Sequence, residues 1–408
     1  MRARVPASAT PRSRRWRALG VASIAGLVLT ACGDEKQDVF TPDGQRAREI
    51  NDLQVPVFLI AGVVGLLVAA AMAYVIILGR RRAKTDAADP VQLEGNFKLE
   101  IGWTIAPAVL LGIIAVFTVG TLLRLDDAEA LPPELEGMEI TVYGHQWWWG
   151  YEYELGDGDD TPEIITANDL VIPAGVPVTL NIRSRDVIHS FWIPGLNGTR
   201  DAVPGRTHTL VIEADEPGEY DGQCKEFCGL SHANMKARVV AVTMSEFESW
   251  LQQQQQTQPM LAAGDPGFEG QQIFIAQCTR CHQINGLENA DGDPIEVEGV
   301  AALVAGHAPN LTHLMTREVY AGALFDLYDP ETGEFDRAQL EAWLRNAPEQ
   351  KPMYAEPAEG ELARGMPALG LTEADIDRLI DYLVTLGPQP LNPAGPTPSA
   401  PTTDEAGS

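Results

Sequence analysis

Cys224, Glu226, Cys228, His232 and Met235 crowd into the single run GQCKEFCGLSHANM, with the spacing C-x3-C-x3-H-x2-M. Thiolate and thioether sulfurs together with imidazole select copper over harder cations, and two cysteines four apart can each bridge the same two metal atoms while His232 and Met235 close one side. A second imidazole is still needed. His189, in DVIHSFWIP about thirty-five residues upstream, is the natural candidate, because a copper site in a β-sandwich typically borrows one ligand from a distant loop. Two plainer readings stand beside this one. A C-x3-C pair in an oxidising compartment could be a disulfide, and Cys2His2 also suits structural zinc. Zinc gives no reason for the methionine, and a disulfide gives none for either histidine.

A second constellation lies downstream, where Cys278, Cys281 and His282 form CTRCH. C-x-x-C-H is the attachment signature of c-type haem: two thioethers fix the porphyrin and the histidine is the proximal iron ligand. A five-residue match alone is weak, but here it follows a helical pattern, GFEGQQIFIAQ. It also precedes EADIDRLIDYLVTL, whose Ile376, Leu379, Ile380, Leu383 and Leu386 keep helical spacing. Six-coordinate iron suited to electron transfer needs a second axial ligand, and methionine is the expected one. Met366, in a Met-Pro turn just before the last helix, and Met353, after Lys351-Pro352, are the candidates, and the resemblance of this region to class I cytochromes c, whose sixth ligand sits in such a turn, implies Met366 first and Met353 second. Core packing is the ordinary role of a methionine in a small helical domain, and it is the role expected of Met315.

The copper-shaped loop and His189 together resemble the binuclear CuA site of cytochrome c oxidase subunit II, with every ligand position filled. The resemblance implies that Cys224 and Cys228 bridge two coppers, that His189, His232 and Met235 complete them, and that the main-chain carbonyl of Glu226 is the remaining ligand. The Glu226 side chain would then face a magnesium ion, an oxygen-seeking metal. The region around CTRCH, roughly Asp265 to Gly387, resembles a class I cytochrome c domain. In GHQWWWGYEY the family's Gln-Trp-aromatic-Trp motif matches, and Trp147 would be the exposed aromatic through which an electron reaches CuA; aromatic residues in a sandwich are as readily core. Glu100, in LEIGWTIAP, matches the family's glutamate at the mouth of a proton path, with a solvated flanking charge as the plain alternative. Asp201 matches a family aspartate near the copper site or is simply a turn residue.

The elements that must position these residues can be read in order. Residues 1–31, with six arginines before the apolar stretch ALGVASIAGLVLTA, read as an export signal, and Leu29-Thr30-Ala31-Cys32 resembles a bacterial lipoprotein box that would lipidate Cys32. Residues 32–124 carry two uncharged apolar segments, about 55–78 and 103–123, each long enough to cross a bilayer. Arg80, Arg81, Arg82 and Lys84 between them place that loop in the cytoplasm and everything after Arg124 outside. Over 125–250 the runs MEITVYG, VTLNIRS, HTLVIEA and ARVVAVT, punctuated by Pro and Gly turns, argue for a Greek-key sandwich, which the resemblance makes cupredoxin-like. Residues 251–264, with Gln252 to Gln256, read as a flexible linker, 265–387 as an all-α cytochrome c domain and 388–408 as a disordered tail. No ligand role is assigned to His145, His208, His307 or His313.

The expected fold is therefore a multidomain membrane protein: a transmembrane hairpin, a cupredoxin-like β-sandwich and a cytochrome c domain. With 57 acidic against 29 basic residues and a net charge of −28, nucleic acid is excluded as a partner and a basic redox protein is favoured. The resemblance implies an electron inlet of a respiratory haem-copper oxidase. It sits in the bacterial cell membrane with its soluble domains on the outer face. It passes electrons from a soluble or membrane-bound cytochrome, through its haem c and CuA, to haem in subunit I. Subunit III would be a further partner. Oxygen reduction and proton pumping are expected in subunit I, because this chain lacks membrane histidines to hold further haem or copper. Two other classes compete: a CuA-type nitric oxide or nitrous oxide reductase subunit, and a copper-delivery lipoprotein, which leaves CTRCH without a purpose.

Overall fold

The computed structural model of the chain describes residues 37–83, 94–125, 135, 137–156, 163–287, 308–354 and 364–391. The export signal, Cys32, Lys84, His307 and most of the tail lie outside them. Two apolar helices, α1 (Gln45–Ala83) and α2 (Phe97–Leu125), contain both expected spans and overrun them. At 39 residues α1 is about 58 Å long, nearly twice the ~30 Å of bilayer hydrocarbon. Its surplus first turns are polar and, with the residues just before them, serve as a foot on the sandwich. Arg48 pairs with Asp215, the amide of Asp43 donates to Gly195 at 2.8 Å, and the amide of Asp215 donates back to Asp43 at 2.8 Å. Arg124, at the end of α2, binds Glu49 at 3.0 Å and so ties the outer ends of the hairpin together. The apolar residues of both helices otherwise face outward, as a lipid-facing surface requires.

The four runs expected from alternation all form strands, joined in the sandwich by six others among the described residues. In chain order they are β1 (Glu139–His145), β2 (Trp148–Glu154), β3 (Ile164–Ala167), β4 (Asp169–Pro173), β5 (Val178–Ser184), β6 (His189–Phe191), β7 (Arg200–Ala202), β8 (His208–Ile212), β9 (Gly218–Gln223) and β10 (Lys236–Val242). One sheet runs β3-β2-β1-β5-β8 and faces a second, β4-β10-β9, while β6 and β7 form a separate ribbon. β1 pairs parallel with β5, and β10 pairs parallel with β4, so neighbours in space are distant in sequence, as a Greek key demands. Ile140, Val142, Trp149, Tyr151 and Ile182 from the first sheet meet Leu170, Ile172, Val239 and Ala241 from the second. The buried Tyr153 hydroxyl donates to Val171 at 2.9 Å and fastens one sheet to the other. Alternation understates the burial of β1, since Thr141, Tyr143 and His145 on its opposite face are also covered.

After β10, α3 (Met244–Gln254) opens with a reciprocal capping box between Thr243 and Glu246 and packs Phe247 and Trp250 into the sandwich core. The expected flexible linker is different in the structure. Helix continues to Gln254, and the chain beyond it is held against the cytochrome domain: His313 Nε2 reaches the carbonyls of Gln254 (3.1 Å) and Gln256 (2.9 Å), and Gln258 donates to Thr312 at 2.8 Å. The glutamines supply amides and carbonyls that a partner surface can bind, which composition alone reads as solvated chain. The cytochrome domain then follows: α4 (Phe268–Gln277), the short pair β11 (Val319–Tyr320) and β12 (Phe325–Asp326), α5 (Arg337–Arg345), α6 (Ala347–Gln350) and α7 (Glu373–Leu383). Ile376, Leu379, Ile380, Leu383 and Leu386 are all buried, as their spacing requires. α4 crosses α7 at Gly270, where a Cβ would lie 1.9 Å from the carbonyl of Arg378, and Phe274 meets Tyr382 edge to face at 5.8 Å.

Candidate metal centre and haem cavity

The loop between β9 and β10 carries the sulfur ligands, and its ends are clasped by the Cys224 amide donating to Met235 at 3.0 Å. A second clasp, from the Lys225 amide to Ser190 at 3.0 Å, lays the loop against β6, whose first residue is His189. The distant histidine is thereby delivered. Cys224 Sγ and Cys228 Sγ lie 3.9 Å apart, His189 Nδ1 is 3.9 Å from Cys224, His232 Nδ1 is 3.6 Å from Cys228, and Met235 Sδ is 3.8 Å from Cys228. The carbonyl of Glu226 stands 3.2 Å from Cys224 Sγ. These are separations that metal atoms between the ligands would span, and they exceed the about 2 Å of a sulfur–sulfur bond.

The protonation of the pair tells the same story. Cys228 and His189 beside it hold the Cys224 thiol well down, while the neighbouring thiolate and burial push the Cys228 thiol far up. One negative charge forms readily and the second needs a cation to neutralise it, which a bound metal supplies. His189 is fully buried and turns its other nitrogen, Nε2, to Asp186 Oδ1 at 2.8 Å. A carboxylate behind a ligand histidine fixes which ring nitrogen is free for metal. Asp186 also accepts from the Gln146 amide at 2.7 Å. Sequence reading missed Asp186, although it sits three residues before His189 in the same quoted stretch.

The β1–β2 turn crosses over this loop. Gln146 Nε2 (2.8 Å) and Trp147 Nε1 (2.9 Å) both donate to the carbonyl of Cys228. Trp147 is not the exposed aromatic the sequence led one to expect, since it is only 2% exposed. The cytochrome domain covers it, with the ring of Tyr354 at 5.5 Å. The neighbouring tryptophans divide in function: Trp149 is core, edge-on to Phe191 at 5.1 Å, and Trp148 stacks on His145 at 4.0 Å.

On the other side of Trp147 lies a cavity at the seam between the domains, lined by Cys278, Cys281 and His282 as well as by Trp147, Met353 and Met366. The residues fit a haem. His282 is half-buried and its Nδ1 engages the carbonyl of Pro309 at 2.8 Å, which leaves Nε2 for iron. Arg317 lines the same cavity, and its buried Nε and Nη1 have no hydrogen-bond partner among the described residues. A ligand bearing carboxylates would satisfy them. Burial pushes the Arg317 guanidinium down to about 10. Met366 packs against the cytochrome core, whereas Met353 packs against the sandwich core.

Three expected side chains stand apart from these contacts. Glu226 is exposed on the outer side of the loop, flanked by the exposed Phe227. Glu100 lies exposed in the first turn of α2, where the Thr104 hydroxyl donates to its carbonyl at 2.8 Å. Asp201 is exposed on β7, paired across the ribbon with Ser190.

Three family descriptions match this chain: cytochrome c oxidase subunit II, transmembrane domain, over residues 35–120; cytochrome c oxidase subunit II, periplasmic domain, over residues 138–242; and cytochrome c over residues 268–387. Among curated relatives, a cytochrome c oxidase subunit 2 of Alkalihalophilus pseudofirmus is 33% identical, the match covering 89% of this chain and 95% of that protein. One from Bacillus sp. strain PS3 is 31% identical over 91% of this chain and 97% of its own length. A quinol oxidase subunit 2 of Bacillus anthracis is 28% identical, over 68% of this chain and 95% of its own.

Proposed function

The chain belongs to the cytochrome c oxidase subunit II family, with a cytochrome c domain fused behind the periplasmic one, and from that premise we propose that it works as an internal relay from CTRCH through Trp147 to the Cys224–Cys228 loop. It is a subunit of a haem-copper oxidase, crosses the membrane twice and carries its sandwich on the periplasmic side. When bound, a covalent haem and a thiolate-bridged copper pair each supply a one-electron redox couple. The observation that carries the reading is the double position of Trp147, which lines the haem cavity with one face and hydrogen-bonds the backbone of a copper-loop cysteine with its Nε1.

Each residue has a part. Cys278 and Cys281 would anchor the porphyrin of a bound haem, and His282, oriented by Pro309, and Met366 would be the residues that hold its iron. Cys224 and Cys228 would hold the copper pair together with His189, His232, Met235 and the Glu226 carbonyl. Asp186 orients His189. Rigid strands on both sides of the loop restrain the ligands as charge changes, which suits a site that must switch oxidation state with little rearrangement. The exposed Glu226 carboxylate is available to an oxygen-seeking cation such as magnesium at a seam with subunit I, and Glu100 to a proton path on the same partner. We further assign residues 1–31 to an export signal, 32–124 to the N-terminal segment and hairpin, 125–250 to the copper domain, 251–264 to the connection and 265–387 to the cytochrome domain.

Purified oxidase containing this chain tests the proposal. Metal and haem analysis should find two coppers and one covalent haem per chain, with oxygen consumed on addition of reduced cytochrome c. Zinc in place of copper, or a Cys224–Cys228 disulfide in mature material, refutes the relay.

A further inference from the structure

Lys351, in the cytochrome domain, is only 2% exposed, and among the described residues no carboxylate forms an ion pair with it. Lysine is almost never buried without a partner, so what its amine does instead is informative. Nζ donates to two main-chain carbonyls: that of Trp147 in the copper domain at 2.7 Å and that of Ala321 in its own domain at 2.6 Å. One side chain thus ties together the two halves of the seam.

The loop that Lys351 grips is itself unusual. Ala321, Gly322 and Ala323 all have positive φ, at 55°, 77° and 53°. Left-handed backbone at non-glycine residues is uncommon, and it persists where surrounding contacts hold it in place. Here those contacts come from the copper domain. The Gly322 amide donates to Asn168 Oδ1 at 3.0 Å, and the Gly322 carbonyl accepts from the Lys236 amide at 2.9 Å. A Cβ on Gly322 would lie 2.3 Å from the Trp147 carbonyl and 2.7 Å from Lys351 Nζ, so the close approach requires glycine.

We propose that Lys351 is a positioning residue for electron transfer within the chain: with the loop 321–323 it locks the cytochrome domain in the pose that puts Trp147 between the haem cavity and Cys228. The inference rests on the relay proposed above and adds the device that sets its geometry. Removing the amine leaves the Trp147 and Ala321 carbonyls buried without their shared donor, which loosens the seam while leaving CTRCH and the copper ligands in place.

The test is Lys351→Met in the complete oxidase. It is read by copper and haem content, by the rate of haem reduction from a soluble donor, and by the rate of copper reduction after rapid photochemical reduction of the haem. A misplacement of about 1 Å can cost about a hundredfold in rate, so the haem-to-copper step should slow about tenfold or more while content and donor-side reduction stay at wild-type values. A fully loaded variant that transfers at the wild-type rate overturns the proposal. Should Lys351→Met lose haem, Gly322→Ala decides: loaded and slow supports the lock, whereas loaded and unchanged, or loss of haem again, overturns it. Failure of the relay itself would look different, as wild-type oxidase lacking the copper pair or covalent haem.

Discussion

Trp147 Nε1 and the carbonyl of Cys228 are joined by a 2.9 Å hydrogen bond across 81 residues of sequence. The bond places an indole directly against the backbone of a proposed copper ligand, and Gln146 reinforces it by donating to the same oxygen. A carbonyl held by two donors fixes the loop from behind while its sulfurs face the metal position. The β1–β2 turn is therefore part of the metal site's frame as well as its neighbour.

Replacing Cys228 by Ser removes one of the two sulfurs standing 3.9 Å apart. The mixed-valence copper signal should vanish and copper content should fall, with the haem still covalently attached and reducible. Visible and electron paramagnetic resonance spectra check both halves, and an unaltered copper signal would remove Cys228 from the ligand set.

Met366→Ala should leave the haem attached through Cys278 and Cys281 but convert its low-spin spectrum to high-spin. Both Met366 and Met353 line the cavity, yet Met366 packs against the cytochrome core and Met353 against the sandwich. A low-spin spectrum that survives Met366→Ala and disappears in Met353→Ala would transfer the role to Met353.

The seam carries a titration of its own. Burial pushes the Asp169 carboxyl up from 3.8 to about 6, against the pull of Arg238 and of hydrogen bonds from the Glu318 and Val319 amides. Between those values the folded chain keeps a proton that the unfolded chain has lost, so the stabilisation is full below the window and declines as pH rises through it. Two units correspond to about 3 kcal/mol. Asp169→Asn retains an acceptor for the Glu318 amide, now at 2.7 Å. Its melting temperature should stay flatter than that of the wild type between about pH 4 and 6, as followed by thermal unfolding at a series of pH values; an unchanged slope would assign the effect to another group.

Gly270→Ala tests the helix crossing. The added methyl would sit 1.9 Å from the Arg378 carbonyl, forcing α4 and α7 apart. Overpacking of this kind costs about 1–3 kcal/mol. The cytochrome domain should lose stability and retain less haem, with the copper spectrum unaffected. Calorimetry and pyridine haemochrome assay read the two effects, and wild-type melting would mean that the helices can separate freely.

Much of this organisation is legible in sequence because its signals are local. The C-x3-C-x3-H-x2-M loop, CTRCH, the closing helix and both apolar spans each lie within one short window, where spacing or hydropathy reports directly on chemistry. What sequence does not carry is the seam. The resemblance implies an exposed Trp147, and nothing near it in sequence says otherwise; the residues that cover it, Tyr354 and Lys351, come two hundred residues later. The glutamine-rich connection reads as free chain because its partners, His313 and Thr312, lie beyond the haem motif. Asp186 was within reach, since an acid near a candidate ligand histidine is the kind of residue that holds such a ring in place.

The polar foot of α1 and the Asp43 just before it, gripping Asp215 and Gly195 on the sandwich, make a bracket out of what would otherwise be a hinge. The soluble head cannot swivel freely on its stalk, so its elevation and heading above the lipid are settled before any neighbour arrives. Assembly then becomes a meeting of preset shapes, and a substitution at Arg48 would be felt as misalignment far from where it was made.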